Sequence, residues 1–160
     1  MNGICKFLIG IICLIKCLNA DEIARSVVSR LKRGQKIETT TQLKNVIEET
    51  LAFLPASERK EAVKKSCQRT FQALRIDVNS EFEVLYDFLE KLPDVLVPGG
   101  RAAILTFHSG EDRLVKKLFK RLKKEGIYQE ISEEVIRPSA EECARNSRAR
   151  STKMRWAIKA

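Results

Sequence analysis

Apolar side chains recur at helical spacing over much of this chain, and the interruptions between those stretches carry turn chemistry. From Asp21 to Arg33, residues Ile23, Ala24, Val27, Val28 and Leu31 fall on one helical face, and Gly34 follows as a stop. Thr39 to Gln42 has the spacing of a capping box, and Leu43, Val46, Ile47, Leu51 and Leu54 mark a second helix ending near Pro55. Together these predict a helical hairpin. Ser57 to Cys67 is polar and basic and reads as an exposed helix or linker, and Arg69 to Asn79 reads as a helix passing into an extended segment. Ser80 to Glu83 again has capping-box spacing, opening a helix with an apolar stripe of Phe82, Leu85, Phe88, Leu89 and Leu92. Pro93 and the turn Pro98-Gly99-Gly100 close it.

The pattern then changes. Ala102 to Phe107 is apolar without alternation, which predicts an interior strand covered on both faces, with a short buried helix as the alternative. Ser109 and Asp112 have capping-box spacing, so a helix is expected to start there and to run through the charged, amphipathic stretch Glu111 to Glu125. Gly126 breaks it, and Ile127 to Val135 reads as one or two short strands or a loop. Ser139 to Glu142, directly after Pro138, predicts a short helix to about Arg145. Met154, Trp156 and Ile158 alternate with Arg155, Ala157 and Lys159, a strand with one face buried. Strand, polar loop and helix meet at His108 to Arg113, and ligands of open α/β sheets bind at the carboxyl ends of strands.

Charge sharpens this picture. The 160 residues carry a formal net charge of +9, which favours a polyanionic partner. Length allows one core with a small accessory unit. Cys5, Cys13, Cys17, Cys67 and Cys143 form no Cys-x-x-Cys pair, and His108 is the only histidine, so no metal site is expected and reduced thiols are the default. Residues 1 to 19 stand apart: Phe7 to Ile15 is too short to span a bilayer and looks like the core of a signal peptide. Either this is a secretory leader, or it is an unrelated start joined to a cytoplasmic or organellar domain; the second is favoured.

Three basic groupings are candidates for phosphate contact. One is the helix carrying Arg113, Lys116, Lys117, Lys120, Arg121, Lys123 and Lys124, where helical spacing forces a positive stripe and a solvated outer face is the plainer reading. Another is Arg145, Arg148, Arg150, Lys153 and Arg155, in which a segment too short and polar to build a core offers guanidinium forks and the hydroxyls of Ser151 and Thr152. In the third, Arg69, Arg75 and Asn79, a polar network bracing the core is as good a reading as recognition. His108, at a strand end, is a weak candidate for catalytic base. No nucleophile elbow, phosphate loop or dinucleotide fingerprint is present.

Several blocks in order resemble one family, the bacterial 16S rRNA cytosine-N4 methyltransferases of the MraW or RsmH type. They are Arg-Thr-Phe-Gln-Ala-Leu-Arg-Ile at 69–76, Val-Asn-Ser-Glu at 78–81, Pro-Gly-Gly-Arg at 98–101, Phe-His-Ser at 107–109, Glu-Asp-Arg at 111–113 and Arg-Pro-Ser at 137–139. Asn146 and Arg-Ala-Arg-Ser-Thr-Lys-Met-Arg at 148–155 complete the set. The resemblance implies a partial Rossmann-like, S-adenosylmethionine-dependent methyltransferase fold with a helical insertion at 20–68 and the C-terminal part of the methyltransferase domain at 69–160. It implies methyl transfer to small-subunit ribosomal RNA, a reaction that rests on holding a methylsulfonium in line with an amine lone pair. The RNA-contact candidates are then Arg69, Arg75, Asn79, Ser109, Arg113, Asn146, Arg148, Arg150, Ser151, Lys153 and Arg155. The family's glycine-rich cofactor loop and cofactor-holding acids have no counterpart here, so no cofactor-binding residue is named and a truncated chain is expected to bind S-adenosylmethionine poorly. Gly110 also stands where the family carries a bulky apolar residue. A noncatalytic basic RNA-binding module is the alternative, and a cytoplasmic or organellar (plastid or mitochondrial) location is favoured over secretion.

Overall fold

Helix α1 (Ala20–Lys32) buries Ile23, Ala24 and Val28, and Gly34 ends it at φ 78°, a left-handed conformation that glycine adopts without strain. The structure, a computed structural model, describes residues 19–160, so the leader read over residues 1–19 lies outside the described residues except for Asn19. Helix α2 (Thr40–Thr50) has the complete capping box: Gln42 N–H donates to Thr39 Oγ1 at 3.2 Å, and Thr39 N–H donates to Gln42 Oε1 at 3.0 Å. It buries Leu43, Val46 and Ile47 and packs against α1, where Arg30 pairs with Glu49. It ends short of Pro55 because Leu51 to Leu54 form a turn, whose carbonyls at Ala52 and Leu54 accept from the Arg59 guanidinium.

In the next segment the helix alternative holds for residues 57–67, and the extended segment expected within Arg69 to Asn79 does not form: α3 (Ala56–Val78) is one helix of 23 residues. Its buried positions are Val63, Ser66, Thr70, Ala73 and Ile76, which keep helical spacing, but Ser66 and Thr70 are polar and break up the apolar stripe. The chain divides into two units, one through Asn79 and one from Ser80 to Ala160, and α1 to α3 belong to the first.

In the second unit α4 (Glu81–Val95) starts without the expected capping box. Ser80 is left-handed at φ 49° and makes no side-chain cap, since a capping residue needs extended backbone. Strands β1 (Arg101–Thr106), β2 (Tyr128–Ile131) and β3 (Lys153–Lys159) form an antiparallel sheet in the order β1-β3-β2. The sheet gives an α/β unit: α5 (Ser109–Lys124) lies on one face, and α4 packs against α5. Leu89 and Leu92 of α4, Val115, Leu118, Phe119 and Leu122 of α5, and Ala102, Tyr128, Ile131 and Ala157 of the sheet make the core. Lys159 Nζ ties the end of β3 to the carbonyls of Pro93 (2.6 Å) and Leu96 (2.9 Å). The segment 127–135 resolves into β2, and Ile136 adds an isolated bridge to Met154. Helix α6 (Ala140–Arg145) is capped by Ser139, whose hydroxyl accepts from Glu142 N–H, and a 3₁₀ turn (Ser147–Ser151) leads into β3.

Both strand expectations need correction. Strand β1 is an edge strand among the described residues and is covered on one face only: Ala102 and Thr106 are buried, whereas Leu105 is 60% exposed and Phe107, just beyond, 58%. Strand β3 is buried on the face that alternation marks as polar. Arg155 (5% exposed) and Ala157 (0%) point into the core, while Met154, Trp156 and Ile158 lie half-buried on the other face. In register, Trp156 stands opposite Ala103 and Met154 opposite Leu105. The sheet therefore carries apolar residues on both faces, and the inward arginine is tolerated because Asp112 meets it.

Candidate functional site

The carboxyl end of β1 and the amino end of β3 share one rim. Thr106 is in register with Lys153, and its hydroxyl donates to the Lys153 carbonyl at 3.3 Å. Phe107, His108 and Ser109 leave β1 at this rim, and the 3₁₀ turn enters it through Thr152.

His108, rather than Ser109, caps α5. Its Nδ1 accepts from Gly110 N–H at 3.2 Å and Glu111 N–H at 3.4 Å. Glu111 answers with Oε2, which accepts from Phe107 N–H at 2.9 Å and His108 N–H at 3.2 Å. The capping box is thus His108–Glu111, shifted one residue from the one expected at Ser109–Asp112. Ser and Asp are the commoner capping types, yet an imidazole nitrogen with a free lone pair accepts the same amides. Burial alone would push the Glu111 carboxyl up, but hydrogen bonding to the His108 ring and to the Phe107 and His108 N–H groups outweighs it, bringing it down to about 2.

This geometry decides what His108 can do. With Nδ1 accepting two amides, the neutral ring carries its proton on Nε2, 3.3 Å from Glu111 Oε1. Glu81, His108 and Glu111 bring one potential ligand atom each within 4.8 Å of one another. A metal at Nε2 would need that proton moved to Nδ1, against the two N–H groups already donating there. While His108 caps α5, the trio therefore offers an ion no free ring nitrogen. As a catalytic base His108 is handicapped in the same way, since its unprotonated nitrogen is consumed by the cap.

One turn further on, Asp112 Oδ1 accepts from Arg155 Nε at 2.7 Å, with the carboxylate only 16% exposed. Arg155 is therefore turned inward, so the structure corrects its place among the phosphate-facing candidates: it joins α5 to β3. Ser109 in the first turn of α5 and Arg113 one turn on are exposed, and Arg148, Arg150 and Ser151 are exposed on the 3₁₀ turn, with Lys153 half-buried at the start of β3. Asn146 Oδ1 accepts from Arg148 N–H at 3.1 Å and so shapes that turn. Ser109, Arg113 and Lys153 thus come to the rim, with Arg148, Arg150 and Ser151 on the turn entering it. Arg69, Arg75 and Asn79 lie on α3 and its C-cap, in the other unit. Sequence reasoning misses Glu111 and Asp112 as site residues; the available signal is an arginine at an alternation-breaking position of a strand, which calls for a carboxylate partner.

The described residues supply no cradle for a nucleoside cofactor at this strand-to-helix turn. The first-turn amides are taken by His108, and a Cβ on Gly110 would lie 2.7 Å from Phe82 Cζ and 3.1 Å from the His108 ring. The glycine is used for close packing beneath Phe82, whose ring meets His108 edge-on at 5.8 Å. A groove of about 470 Å³, lined by Arg101, Ala102, Ala103, Glu130, Trp156 and Ile158, opens at the end of the sheet away from the rim.

The chain belongs to the MraW methylase family, which it matches over residues 18–160. Among curated relatives it is 68% identical to Ribosomal RNA small subunit methyltransferase H 1 of Lachnoclostridium phytofermentans, over 88% of this chain and 38% of that protein. It is 62% identical to Ribosomal RNA small subunit methyltransferase H 2 of Alkaliphilus metalliredigens, over 89% of this chain and 42% of that protein. With Ribosomal RNA small subunit methyltransferase H of Elusimicrobium minutum it shares 42% identity over 88% of its length and 45% of the relative's. The chain thus spans less than half the length of the curated relatives it matches.

Proposed function

We propose that this chain is the acceptor-side portion of an S-adenosylmethionine-dependent methyltransferase acting on a cytosine amine of small-subunit ribosomal RNA. The observation that carries this reading is the family match across residues 18–160. In it, the α/β unit is part of a Rossmann-like sheet, with β1 taking further strands on its open edge, and residues 20–68 lie within a helical insertion. An edge strand as apolar as Ala102 to Phe107, with no charge beyond Arg101, lacks the devices that keep sheet edges from pairing, which supports a paired edge in the working enzyme.

Ser109, Arg113, Arg148, Arg150, Ser151 and Lys153 would hold RNA phosphates near the rim, keeping an unstacked base in place. Methyl donation belongs to the cofactor, and the amides of the His108–Glu111 turn, already taken by the cap, would not hold it. The organisms of the relatives are bacteria, which supports a cytoplasmic protein and lends nothing to a plastid or mitochondrial one. Among the described residues no helix is long and apolar enough to cross a membrane.

The test is a chimaera in which residues 20–160 replace the matching segment of the Lachnoclostridium phytofermentans relative. We expect it to transfer labelled methyl from S-adenosylmethionine to small ribosomal subunits, and R148A/R150A in that chimaera to lower transfer at least tenfold. A folded chimaera that binds RNA but transfers nothing would overturn the proposal in favour of a noncatalytic RNA-binding module. Calorimetry on the chain alone is expected to find no S-adenosylmethionine binding at micromolar concentration, and micromolar affinity would refute the division of labour.

A further inference from the structure

The helix α5 divides its circumference by chemistry. Val115, Leu118, Phe119 and Leu122 are buried in the core, and Arg113, Lys116, Lys117, Lys120, Lys123 and Lys124 are exposed. At about 100° per residue these six cations fall within roughly 120° of arc, centred opposite the buried stripe, and at 1.5 Å per residue they extend over about 16 Å. None of them pairs with a carboxylate among the described residues. The acids of the helix are engaged elsewhere: Glu111 in the cap, Asp112 with Arg155, while Glu125 just beyond it and Glu90 of α4 both face Arg121.

A face that needs only to be wet does not look like this. Solvated helices in the same chain alternate sign, as Lys44–Glu48 (3.2 Å) in α2 and Lys65–Glu61 (2.9 Å) in α3 do. On α5 the i,i+4 neighbours Arg113–Lys117, Lys116–Lys120 and Lys120–Lys124 are all like-charged, and each such pair costs a few tenths of a kcal/mol. An uncompensated arrangement that weakens its own helix is explained by an external polyanion. An anionic membrane would be the other source of that field, but surface helices hold a bilayer with an exposed apolar face, and the apolar face of α5 is inside the protein.

We propose that the outer face of α5 is a binding rail for the phosphate backbone of RNA, extending from Arg113, one turn beyond Ser109, away from the rim. The inference rests on the reading of the chain as part of an RNA-directed methyltransferase. It assigns to α5 a share of RNA affinity, without base selection, that the loop arginines alone would not supply.

The test compares the full chain with K116Q/K120Q/K124Q for binding to a labelled oligouridylate of about 16 nucleotides over a series of salt concentrations. Each lost phosphate contact on a single strand lowers the log–log salt slope by about 0.7, so the triple variant should lose about 2 from the slope and roughly 100-fold in affinity at 0.1 M salt. Glutamine preserves helix propensity, and unchanged Trp156 emission will show that the unit is folded. As a control, K32Q/K60Q/K64Q removes the same charge from the other unit and should leave the slope within about half a unit of the wild type. Equal slope changes in both variants, or none in the α5 variant, would overturn the rail. So would α5-dependent binding to phosphatidylserine vesicles with RNA binding unchanged. If the α5 variant binds RNA normally while the chimaera still transfers methyl, the rail fails and the enzyme reading stands. If the α5 variant loses RNA binding while the chimaera is inactive, the rail stands and the enzyme reading fails.

Discussion

Removing the Arg155 side chain should be among the most damaging single changes available in the second unit. Arg155 is 5% exposed and the Asp112 carboxylate 16%, with the ion pair at 2.7 Å joining the first turn of α5 to the central strand. In R155A the carboxylate stays where it is and loses its only described partner, and breaking a buried pair from one side typically costs 3–5 kcal/mol. Because Asp112 keeps some contact with water, the lower end, about 3 kcal/mol, is expected. A unit of roughly 80 residues holds about 4–12 kcal/mol in all, so the variant should remain folded but close to the edge. The assay is urea unfolding followed by emission of Trp156, the sole tryptophan and the neighbour of Arg155 in β3. With a urea slope of about 1 kcal/mol/M, the midpoint should fall by about 3 M. The double variant R155M/D112L, which replaces both charges with apolar groups, should recover most of that loss. A midpoint for R155A within about 0.3 M of the wild type, or a double variant no better than the single one, would refute the buried pair as the clamp between α5 and β3.

Three further outcomes concern the same unit. The Glu111 carboxyl falls from 4.5 to about 2 on folding, so its contribution is fully present above pH 4.5 and disappears as pH drops toward 2, on the order of 3 kcal/mol over that window. Unfolding midpoints measured from pH 5 to 2 should fall more steeply in the wild type than in E111Q, and parallel profiles would contradict the capping geometry. Tyr128 is buried with its hydroxyl unpartnered among the described residues, and burial pushes its phenol up, so Y128F should be neutral or more stable by about 1 kcal/mol in urea titration; a loss of that size would reveal a partner for the hydroxyl. G110L forces a side chain against Phe82 and should cost roughly 1–3 kcal/mol, partly restored in G110L/F82A. If G110L unfolds at the wild-type urea concentration, Phe82 is not a fixed wall.

Where structure depends on near neighbours, the pattern of residues is enough to read it. The Gly34 stop and the Thr39–Gln42 box rest on residues within a few positions and form as expected, and of the α1 stripe Ile23, Ala24 and Val28 are buried while Leu31, at its end, is 46% exposed. The failures share a different cause. Helix α3 reads as separate pieces because Ser66 and Thr70 occupy buried helical positions, where a hydroxyl is small enough to pack and polar enough to hide the stripe. The face of β3 reads inverted because burial of Arg155 depends on Asp112, which lies 43 positions away in sequence and becomes a neighbour only after α5 docks. Strand β1 reads as covered on both faces because apolarity records that a face is suited to burial, not what buries it, and Leu105, on the face away from the core, is 60% exposed.

The block Phe-His-Ser-Gly-Glu-Asp-Arg, where strand, loop and helix meet, divides its labour by direction. His108 and Glu111 point back at the backbone and fix where α5 begins; Asp112 points inward and fixes where β3 sits; Gly110 lets Phe82 close over the turn. Each satisfies a neighbour inside the protein and has little left to offer a ligand. Ser109 and Arg113, between and after them, are exposed. A turn built in this way holds its two outward residues against a rigid base, because moving either would break the cap or the buried ion pair. The positioning residues and the proposed RNA-contacting residues at this rim are therefore separable by experiment. E111Q and R155A should lower stability and disturb the placement of the rim, whereas R113Q should leave the urea midpoint unchanged and lower RNA affinity about fivefold at 0.1 M salt, the effect of one phosphate contact. Loss of stability in R113Q, with RNA affinity intact, would put Arg113 among the braces instead.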